Sequence, residues 1–552
     1  IDLFALNCDL NASLANLNGL ALTSIGGDLI LASNDSMTAL TGLESLDTIA
    51  GSLSISQNYE LTNISGLDSV VYIGGDLSIY HNSLLSICNV SCICTYLPNP
   101  PGAISIYFNA PGCNDPPEVA SACGSTISCL PYGHYYFHKQ TEIDNFQANF
   151  PGCTELEGDV HIFGYLFQND KITSLNGLNV VTSIGGHLII DNTDSLTDLS
   201  GLDSLTFIGG DLRITSTGLI SLTGLENLAF VDSSVRIYYN YNLSSLAGLS
   251  MTSLGRDLII EWNYSLPDLV GLENLTSVAG NVSITFNDSM TGLSGLENVA
   301  SVGGALRIYN NSALTNLNGL EGLTNIGGSL EISSNNMLYN LEGLQALNSI
   351  GSDLIILSNS SLFNLTGLEG LTSIGGDLTI GEGGWMVQYG NPALTSLSGI
   401  DNIAGGSIQD LTIRYNYSLS SCAVQSICDY LAAPGGTVDI LYNAPGCQSP
   451  AEVEEACETM EVPTPGASLP AIICYPNPVS QTSHFTFHIS DQQWVKLNIY
   501  SGTGQEVAVL LEEKIVAGNH SIEWNTEALP PGICFYRFQA GDRVVSGKVV
   551  KL

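Results

Sequence analysis

The stretch GLENLTSVAGNVSITFN, which runs from Gly271 to Asn287, carries the pattern that decides the fold. Its plan, GLxxLxxIGGxLxIxxNxxLxxL, recurs along most of the chain, usually in steps of 23 or 24 residues. The alternation of Val282 and Ile284 has the period of two of a β-strand, and glycine pairs mark turns between the short apolar runs. No segment has the length and period of a crossover helix. Each repeat is therefore predicted to be one coil of a β-solenoid with about three short strands, stacked roughly 4.8 Å from the next coil.

Two arrays of this repeat are separated by a long interruption. The glycine of the GL step marks the copies: Gly19, Gly42, Gly66, Gly177, Gly201, Gly224, Gly248, Gly271, Gly295, Gly319, Gly343, Gly367 and Gly399. The pattern stops after Gly66 and resumes at Gly177, and the last step spans 32 residues. The first array starts within a coil, so we expect either missing residues before Ile1 or an open first edge.

A recurring asparagine, three places after the isoleucine of the repeat, is the strongest local signal. It occurs as Asn34, Asn58, Asn82, Asn240, Asn263, Asn287, Asn311, Asn335, Asn359 and Asn416. A solenoid corner leaves backbone groups without strand partners, and a buried carboxamide has donors and acceptors that satisfy them. We therefore predict a structural asparagine ladder, with glycan or metal binding as the alternative. Thr193, Thr217 and Gly383 are expected at this position in the remaining copies.

The position before this asparagine is polar in most copies, which predicts a corner that faces outward. In three consecutive copies it is aromatic instead. With their neighbours, these residues form what we call the aromatic ridge: Tyr238, Tyr239, Tyr241, Trp262, Tyr264, Phe286 and Tyr309. Stacked rings stabilise a corner by themselves, and an exposed apolar ridge is also typical of a binding or assembly surface. An insertion loop with Trp385, Met386 and Tyr389 is a second candidate contact.

The charge balance excludes several partners. The chain has 53 acidic and 13 basic residues, a formal net charge of −40. Such a surface repels phosphate backbones and anionic bilayers, so neither nucleic acid nor a membrane is an expected partner. No stretch has the length and apolarity of a transmembrane helix. No cofactor is predicted; calcium bridging between acidic surfaces is the weaker alternative.

Catalytic signatures are missing from the sequence. There is no GxSxG, HExxH, P-loop or EF-hand pattern. The aspartates that follow the glycine pair recur in one turn position, where turn chemistry explains them: Asp28, Asp76, Asp211, Asp257, Asp353 and Asp377. The chain is therefore predicted not to be an enzyme.

Most of the 14 cysteines lie in segments outside the repeats. Residues 86–127 and 421–457 are two copies of one module, each with a predicted helix and strand; we call them cap 1 and cap 2. A third segment, 128–160, is the N-cap segment of the second array. Disulfides are predicted among Cys88, Cys94, Cys113, Cys123, Cys129, Cys153, Cys422, Cys428, Cys447 and Cys457, with the cap pairing left open. No metal site is expected in either cap, because the cysteine spacing does not fit the usual zinc knuckle.

The run TEIDNFQANFPGCTELEGDVHI, followed by GLxxLxxIGGxLxI coils and a Cys-rich end, resembles the receptor L-domain family. The likeness covers about residues 1–457 and implies a ligand-binding solenoid without naming the ligand. The predicted fold class is all-β: two right-handed β-solenoid arrays with Cys-rich caps, followed by a small Ig-like β-sandwich. The predicted segments are the first array (1–85), cap 1, the N-cap segment, the second array (161–420), cap 2, a Pro-rich linker (458–470) and the sandwich (471–552).

The C-terminal sandwich is expected to have about seven strands. Its landmarks YPNP, YSGTGQEV and LPPGICFYRFQAGDRVVSGKVVKL resemble the type A sorting domain of the type IX secretion system of Bacteroidota. The resemblance implies handling by that secretion machinery. Cys534 departs from the aromatic residue usual in this motif and Cys474 precedes YPNP, which suggests a Cys474–Cys534 disulfide.

Short Asp-Ser/Thr-apolar triplets resemble the O-glycosylation motif of the same group of bacteria. The hydroxyl residues concerned are Ser36, Thr48, Ser69, Ser195, Ser204 and Ser289. The composition of the repeats also generates such triplets, so both interpretations stay open.

Together these features predict a non-catalytic protein of the cell exterior. A structural or adhesive role is favoured, with self-assembly into a fibre or coat and a homopolymer as the expected partner. The alternative is a monomeric module that recognises a surface glycan or protein through the aromatic ridge. The expected location is the outer cell surface or the medium.

Overall fold

The repeats fold into coils that stack in parallel, most of them with a two-residue strand and a four-residue strand. In the coil that contains Ser277–Val278 and Val282–Thr285, the alternating residues Val282 and Ile284 are buried. Sequence period therefore predicted the strands correctly. The third side, expected to be a strand, has no strand in the described coils: Met290 N–H donates to Asn287 C=O within a turn (3.0 Å), and Leu293 N–H donates to Asn318 C=O of the next coil (2.8 Å). Isolated parallel bridges occur on this side at Ala39–Asn63, Asn63–Ile87 and Ser396–Ser421. Met290 and Leu293 are buried there without forming a ladder.

The computed structural model describes residues 2–127, 129–130, 133–164, 169–382, 389–459, 472–475, 477, 479, 481–489, 492–501, 505–526, 529–530, 532–540 and 543–551. It divides into two compact units, Ile1–Thr459 and Met460–Leu552.

The first unit begins with the short array and cap 1. Its strands are β1 (Asp2–Leu3), β2 (Leu6–Asp9), β3 (Ser24–Ile25), β4 (Leu29–Ala32), β5 (Thr48–Ile49), β6 (Leu53–Ser56), β7 (Tyr72–Ile73), β8 (Leu77–Tyr80) and β9 (Ile104–Tyr107). They form a four-stranded sheet, β1-β3-β5-β7, and a five-stranded sheet, β2-β4-β6-β8-β9.

The second array continues with longer sheets. Its strands are β10 (Tyr135–Phe137), β11 (Glu155–Leu156), β12 (Val160–Phe163), β13 (Ser183–Ile184), β14 (Leu188–Asp191), β15 (Phe207–Ile208), β16 (Leu212–Thr215), β17 (Phe230–Val231), β18 (Val235–Tyr238), β19 (Ser253–Leu254), β20 (Leu258–Glu261), β21 (Ser277–Val278), β22 (Val282–Thr285), β23 (Ser301–Val302), β24 (Leu306–Tyr309), β25 (Asn325–Ile326), β26 (Leu330–Ser333), β27 (Ser349–Ile350), β28 (Leu354–Leu357), β29 (Ser373–Ile374), β30 (Leu378–Ile380), β31 (Leu411–Arg414) and β32 (Val438–Leu441). The even-numbered strands from β10 to β30 continue through β31 to β32 as a 13-stranded sheet, and the odd-numbered strands from β11 to β29 form a ten-stranded sheet.

The α-helices of the described residues begin only in the caps and the N-cap segment, whereas the short 3-10 helices lie in the arrays. The α-helices of the described residues are α1 (Ser91–Tyr96), α2 (Pro116–Ala122), α3 (Gln140–Asp144), α4 (Phe146–Asn149), α5 (Gln425–Ala432) and α6 (Pro450–Thr459), and short 3-10 helices span Ser65–Leu67, Asn176–Leu178 and Gly405–Ser407. Each cap has the predicted helix and strand, and each also has a second helix that was not predicted. The disulfides of the first unit are Cys88–Cys113, Cys94–Cys123, Cys129–Cys153, Cys422–Cys447 and Cys428–Cys457.

The two arrays share one hydrophobic core instead of ending separately at cap 1. Tyr107 at the end of β9 stacks on Tyr136 of β10, with ring centroids 3.9 Å apart. Phe108 packs against Phe163 at 5.1 Å, and the His134 N–H donates to the Ile104 carbonyl at 3.3 Å. Cap 1 is thus a junction inside a continuous solenoid, covered by the start of the second array.

Buried ionisable groups lie where α2 of cap 1 faces α3. Glu142 accepts hydrogen bonds from the backbone N–H of His138 (2.8 Å) and Lys139 (3.2 Å), and from Asn114 Nδ2 (3.3 Å). Burial raises the pKa of Glu142 to about 7 and that of Asp115 to about 6. Burial also lowers the pKa of His138 to about 4, so the junction has titrating groups of opposite sign.

A Glu142→Gln variant should reveal this titration. Because the pKa of Glu142 is raised in the folded state, the stability linked to it is full at low pH and is lost as the pH rises through about 7. His138 acts oppositely: its contribution is present at neutral pH and is lost as the pH falls through about 4. We expect the melting temperature of the variant to rise relative to the wild type between pH 5 and pH 7. Glu155→Gln, at an exposed position, is the control; a difference that does not change with pH would contradict the assignment.

The second unit is an antiparallel β-sandwich, as predicted. Its strands are β33 (Ile472–Tyr475), β34 (Thr482–Ile489), β35 (Gln493–Ser501), β36 (Glu506–Ile515), β37 (Gly518–Asn525), β38 (Gly532–Ala540) and β39 (Arg543–Lys551). Sheets β33-β34-β37 and β36-β35-β38-β39 enclose a core that includes Phe485, Leu497 and Phe538.

The predicted Cys474–Cys534 disulfide is wrong for this structure, in which both thiols are free. Cys474 lies on β33 and Cys534 lies on β38, in the opposite sheet. The Cys474 Sγ instead contacts the Ser483 Oγ on the neighbouring strand at 3.1 Å.

Candidate functional site: the aromatic ridge

A buried asparagine builds the corner after each four-residue strand. The Asn287 Nδ2 donates to the carbonyl of Ile260 in the preceding coil (2.9 Å) and to the Asn311 Oδ1 in the next coil (3.3 Å). Its own Oδ1 accepts from the backbone N–H of Asn263 (3.0 Å). Each side chain thus satisfies two backbone groups of the preceding coil, where the strand ladder stops, and donates to the side chain of the asparagine in the next coil.

These asparagines lie in two continuous ladders. One consists of Asn34, Asn58, Asn82 and Asn109, and the other follows Thr217 as Asn240, Asn263, Asn287, Asn311, Asn335, Asn359, Asn391, Asn416 and Asn443. The expectation that Gly383 occupies one copy is corrected. Asn391 takes that position, because the insertion delays the asparagine past the regular spacing; Gly383 itself lies outside the described residues.

The residue before each ladder position has a left-handed backbone, except Gly390 before Asn391. At the other positions φ lies between 52° and 61°, including 59° at Tyr239, 59° at Trp262 and 57° at Phe286. Asparagine tolerates this conformation, which helps to explain why polar residues are common there. A bulky residue pays about 1–2 kcal/mol of backbone strain, which stacking between neighbouring rings offsets in part.

The structure brings the seven residues of the aromatic ridge together. Trp262 and Phe286 stack face to face with centroids 3.8 Å apart and an interplanar angle of 6°. Tyr239 stacks on Trp262 at 5.9 Å, and Tyr241 stacks on Tyr264 at 5.3 Å. Tyr238 meets Tyr239 edge-on at 5.7 Å, and Tyr309 meets Phe286 edge-on at 5.1 Å. The ridge therefore spans the four coils from β18 to β24.

The ridge presents ring edges and phenol groups to solvent. Tyr241 is 53% exposed, Tyr239 is 39% exposed and Tyr264 is 38% exposed. Trp262 and Phe286 are half-buried, because their faces cover each other. A partner that contacts the ridge would therefore meet the edges of the rings and the phenol groups.

Arg307 is a contact residue that sequence reasoning missed. Its guanidinium lies 4.6 Å from the centre of the Tyr309 ring, and its Nε is 3.0 Å from a Glu331 carboxylate oxygen. The sequence did contain a signal for this contact. Basic residues are scarce in this acidic chain, and Arg307 lies two places before the ridge residue Tyr309. The ridge thus has a cation at one end.

The other candidate residues do not join the ridge in the described part of the chain. Trp385 and Met386 lie outside the described residues. Tyr389 is 46% exposed, and its carbonyl accepts from the Ser358 N–H at 3.1 Å. The six hydroxyl residues of the Asp-Ser/Thr triplets are exposed or half-buried; their glycosylation stays a prediction.

The recurring aspartates of the turn position hold the next coil in place. Asp257 Oδ1 accepts from the backbone N–H of Asn281 at 2.8 Å, and Asp353 Oδ1 accepts from that of Asp377 at 2.9 Å. Asp28, Asp76, Asp211 and Asp377 bond to the following coil in the same way. Within the described ranges, no group of three or more His, Cys, Asp or Glu side chains is placed to hold a metal ion.

Comparison with known families identifies the C-terminal unit. Residues 473–552 match the secretion system C-terminal sorting domain. This sorting domain indicates export by the type IX secretion system to the cell surface or beyond it. Residues 152–268, which include the first coils of the ridge, match the Receptor L domain, a kind of domain that is not enzymatic. A search of curated proteins finds no match. None of the described helices is long and apolar enough to cross a bilayer.

Proposed function

We propose that this protein is a non-catalytic structural or adhesive protein of the cell surface, and that the aromatic ridge is its contact surface. The observation that supports this most strongly is the ridge itself: seven aromatic residues stacked over four coils, some of them held in a strained backbone. Exposed tyrosines on a solenoid exported by a sorting domain suit contact outside the cell.

The ring arrangement favours adhesion to an extended surface over tight recognition of one sugar. Sugars bind to free ring faces, whereas Trp262 and Phe286 cover each other's faces and expose edges. The second candidate is a monomeric module that recognises glycan or protein. Its support is the Tyr241–Tyr264 pair, whose members are both exposed.

Retention on cells tests the proposal. Labelled full-length protein is added to producing cells that lack their own copy. We expect wild-type protein to bind saturably and a Trp262→Ala/Tyr264→Ala variant to bind about 30-fold more weakly, because aromatic anchors dominate such contacts. The matched control is Tyr339→Ala/Phe363→Ala. These two exposed rings stack on each other with centroids 5.8 Å apart, and neither belongs to the ridge.

The outcomes separate the two candidates. Equal retention of the ridge variant and the wild type would contradict a contact role for the ridge. If periodate oxidation of the cell-surface glycans abolishes retention, glycan recognition replaces general adhesion as the better description. We also propose that calcium ions bridge acidic surfaces in this adhesion. Retention that is insensitive to a chelator would contradict the calcium contribution.

A further inference from the structure

The aromatic ridge begins with two tyrosines that are the first rings of their stacks. Tyr239 stacks on Trp262 at 5.9 Å, and Tyr241 stacks on Tyr264 at 5.3 Å, both partners lying in the following coil. Tyr239 is nevertheless 39% exposed and Tyr241 is 53% exposed. One face of each tyrosine is thus covered by its stacking partner, and the opposite face points toward the preceding coil.

The preceding coil has only small residues beside these opposite faces. Thr215 pairs with Tyr238, so Ser216 has the position that corresponds to Tyr239. The hydroxymethyl group of Ser216 is too small to cover an aromatic ring. Gly218, which lies two places further along the same corner, has no side chain at all.

This corner of the preceding coil is also one residue shorter than its neighbours. Gly218 alone separates Thr217 from the buried Leu219. In the next coil, Tyr241 and Asn242 together fill the same interval. A Cβ atom at Gly218 would clash with the backbone of the coil before it, so no side chain fits there. The shortened corner leaves a notch, which has residues 216–218 as its floor and the free faces of the two tyrosines as its walls.

The two walls of the notch do not lie in one plane. In the following coil the partner rings, Trp262 and Tyr264, meet at 75°. Each tyrosine of the notch is tilted by 25° or less from its own partner, which is too little to bring the two tyrosine planes together. Two such rings cannot both lie flat on a crystalline polysaccharide. They can contact successive units of a single chain, because these units turn relative to one another.

Polar groups border the notch on the side away from the tyrosines. Asp191 pairs with Thr215, so Asn192 has the position of Ser216 one coil further on, and Asn192 and Asp194 are both exposed there. An amide, a hydroxyl and a carboxylate provide the donors and acceptors that sugar hydroxyl groups require. The carboxylates of Asp191 and Asp194, in a chain of net charge −40, disfavour an anionic sugar.

We infer that the notch binds a single chain of a neutral oligosaccharide, whose sugar rings stack on the free faces of Tyr239 and Tyr241. The C–H groups of a pyranose pack against an aromatic face, while its hydroxyl groups form hydrogen bonds with the polar border. The inference rests on the proposed function, because it names a ligand for one end of the contact surface. Adhesion through the remaining rings of the ridge does not require this site.

Calorimetric titration of the full chain with soluble tetrasaccharides of glucose, xylose, mannose or galactose tests the site. We expect at least one of these neutral probes to bind the wild type. Tetragalacturonate, the anionic counterpart, should bind at least about 10-fold more weakly, because its carboxylates meet those of Asp191 and Asp194.

A Ser216→Tyr variant closes the notch and keeps every residue of the ridge. Its φ of 52° is close to the 59° that Tyr239 adopts in the next coil, so the new ring should extend the stack and cover the free face of Tyr239. We expect the bound tetrasaccharide to lose about 10-fold or more in affinity. Tyr241→Ala removes the other wall and should weaken binding to a similar extent.

The matched control is Ser334→Tyr, the same change at the same corner position, with φ 60°, in a coil outside the ridge. It should leave the affinity unchanged. Melting curves show whether each variant is folded, and Tyr241→Ala carries the test if Ser216→Tyr is not. The inference is overturned if none of the four neutral tetrasaccharides binds the wild type, or if Ser216→Tyr binds as tightly as the wild type. Tetragalacturonate bound as tightly as the neutral probes would also overturn it.

Retention on cells keeps this inference apart from the proposed function. A Ser216→Tyr variant that loses the tetrasaccharide and is still retained on cells would support the notch as a separate site. Retention of the Trp262→Ala/Tyr264→Ala variant at the wild-type level would contradict the proposed function alone, because the titration measures sugar binding without cells.

Discussion

Replacing Asn287 by alanine is expected to destabilise the second array by about 3–5 kcal/mol. Asn287 is fully buried, and the substitution removes the acceptor of the Asn263 N–H and the donor to the Ile260 carbonyl. Two buried backbone groups then lack partners, at a cost of about 1–3 kcal/mol each, and a small cavity is added. Denaturant unfolding should show the loss, and hydrogen exchange should place it in the coils on both sides of the substitution.

Asn325→Ala provides the comparison for this prediction. Asn325 is exposed at the start of β25, so its loss should change stability by less than about 0.5 kcal/mol. If both substitutions had equally small effects, the ladder would not be a main source of stability in the corner. Uniform loss of exchange protection along the whole solenoid would instead indicate that the coils unfold as one unit.

Removing the Cys422–Cys447 disulfide by alanine at both positions is expected to cost roughly 3.5 kcal/mol, since the bond closes a loop across 25 residues of sequence. Cap 2 should lose exchange protection first, because both cysteines belong to it and are buried in its core. The comparison is Cys8→Ala, which removes a free, half-buried thiol and should cost about 1 kcal/mol or less. An unchanged denaturation midpoint in the double variant would show that packing alone holds the cap.

The coil and its corner could be predicted from the sequence because the same residue pattern recurs in most repeats. Val282 and Ile284 mark a strand by their period, and Asn287 marks the corner by its constant distance from Ile284. The third side was misread because Met290 and Leu293 form a third short apolar run in the repeat, although the Met290 N–H bonds within a turn and the Leu293 N–H donates to the next coil. Spacing shows which side chains are buried but not how the backbone between them is paired.

The features that the sequence did not reveal come from outside the repeat. The junction depends on Tyr107, Phe108, Tyr136 and Phe163, which come from three separate segments and share no period. Asn391 escaped because the insertion breaks the spacing that defines the ladder. The Cys474–Cys534 bond was inferred from two departures from a motif, whereas in the fold the Cys474 Sγ contacts the Ser483 Oγ on the neighbouring strand.

The ridge illustrates how one position can have two constraints. The left-handed backbone favours asparagine and similar residues, so Ser334 and Asn310 conform to it, whereas Trp262 and Phe286 do not. Their mutual stacking stabilises the corner, and their neighbours Tyr241 and Tyr264 are exposed beside them. The stacked pair stabilises the corner without the additional exposed tyrosines. These additional exposed rings are the reason for proposing an external contact.

Hydroxyl-radical footprinting on intact cells tests this contact most directly. Oxidation of Trp262, Tyr241 and Tyr264 is compared between protein displayed on its producing cells and the same protein purified in solution, with Tyr339 as the internal reference. If the ridge is the contact surface, the ridge residues should be oxidised several-fold more slowly on cells, while Tyr339 reacts equally in both states. Equal oxidation of the ridge residues in the two states would contradict a contact role for the aromatic ridge.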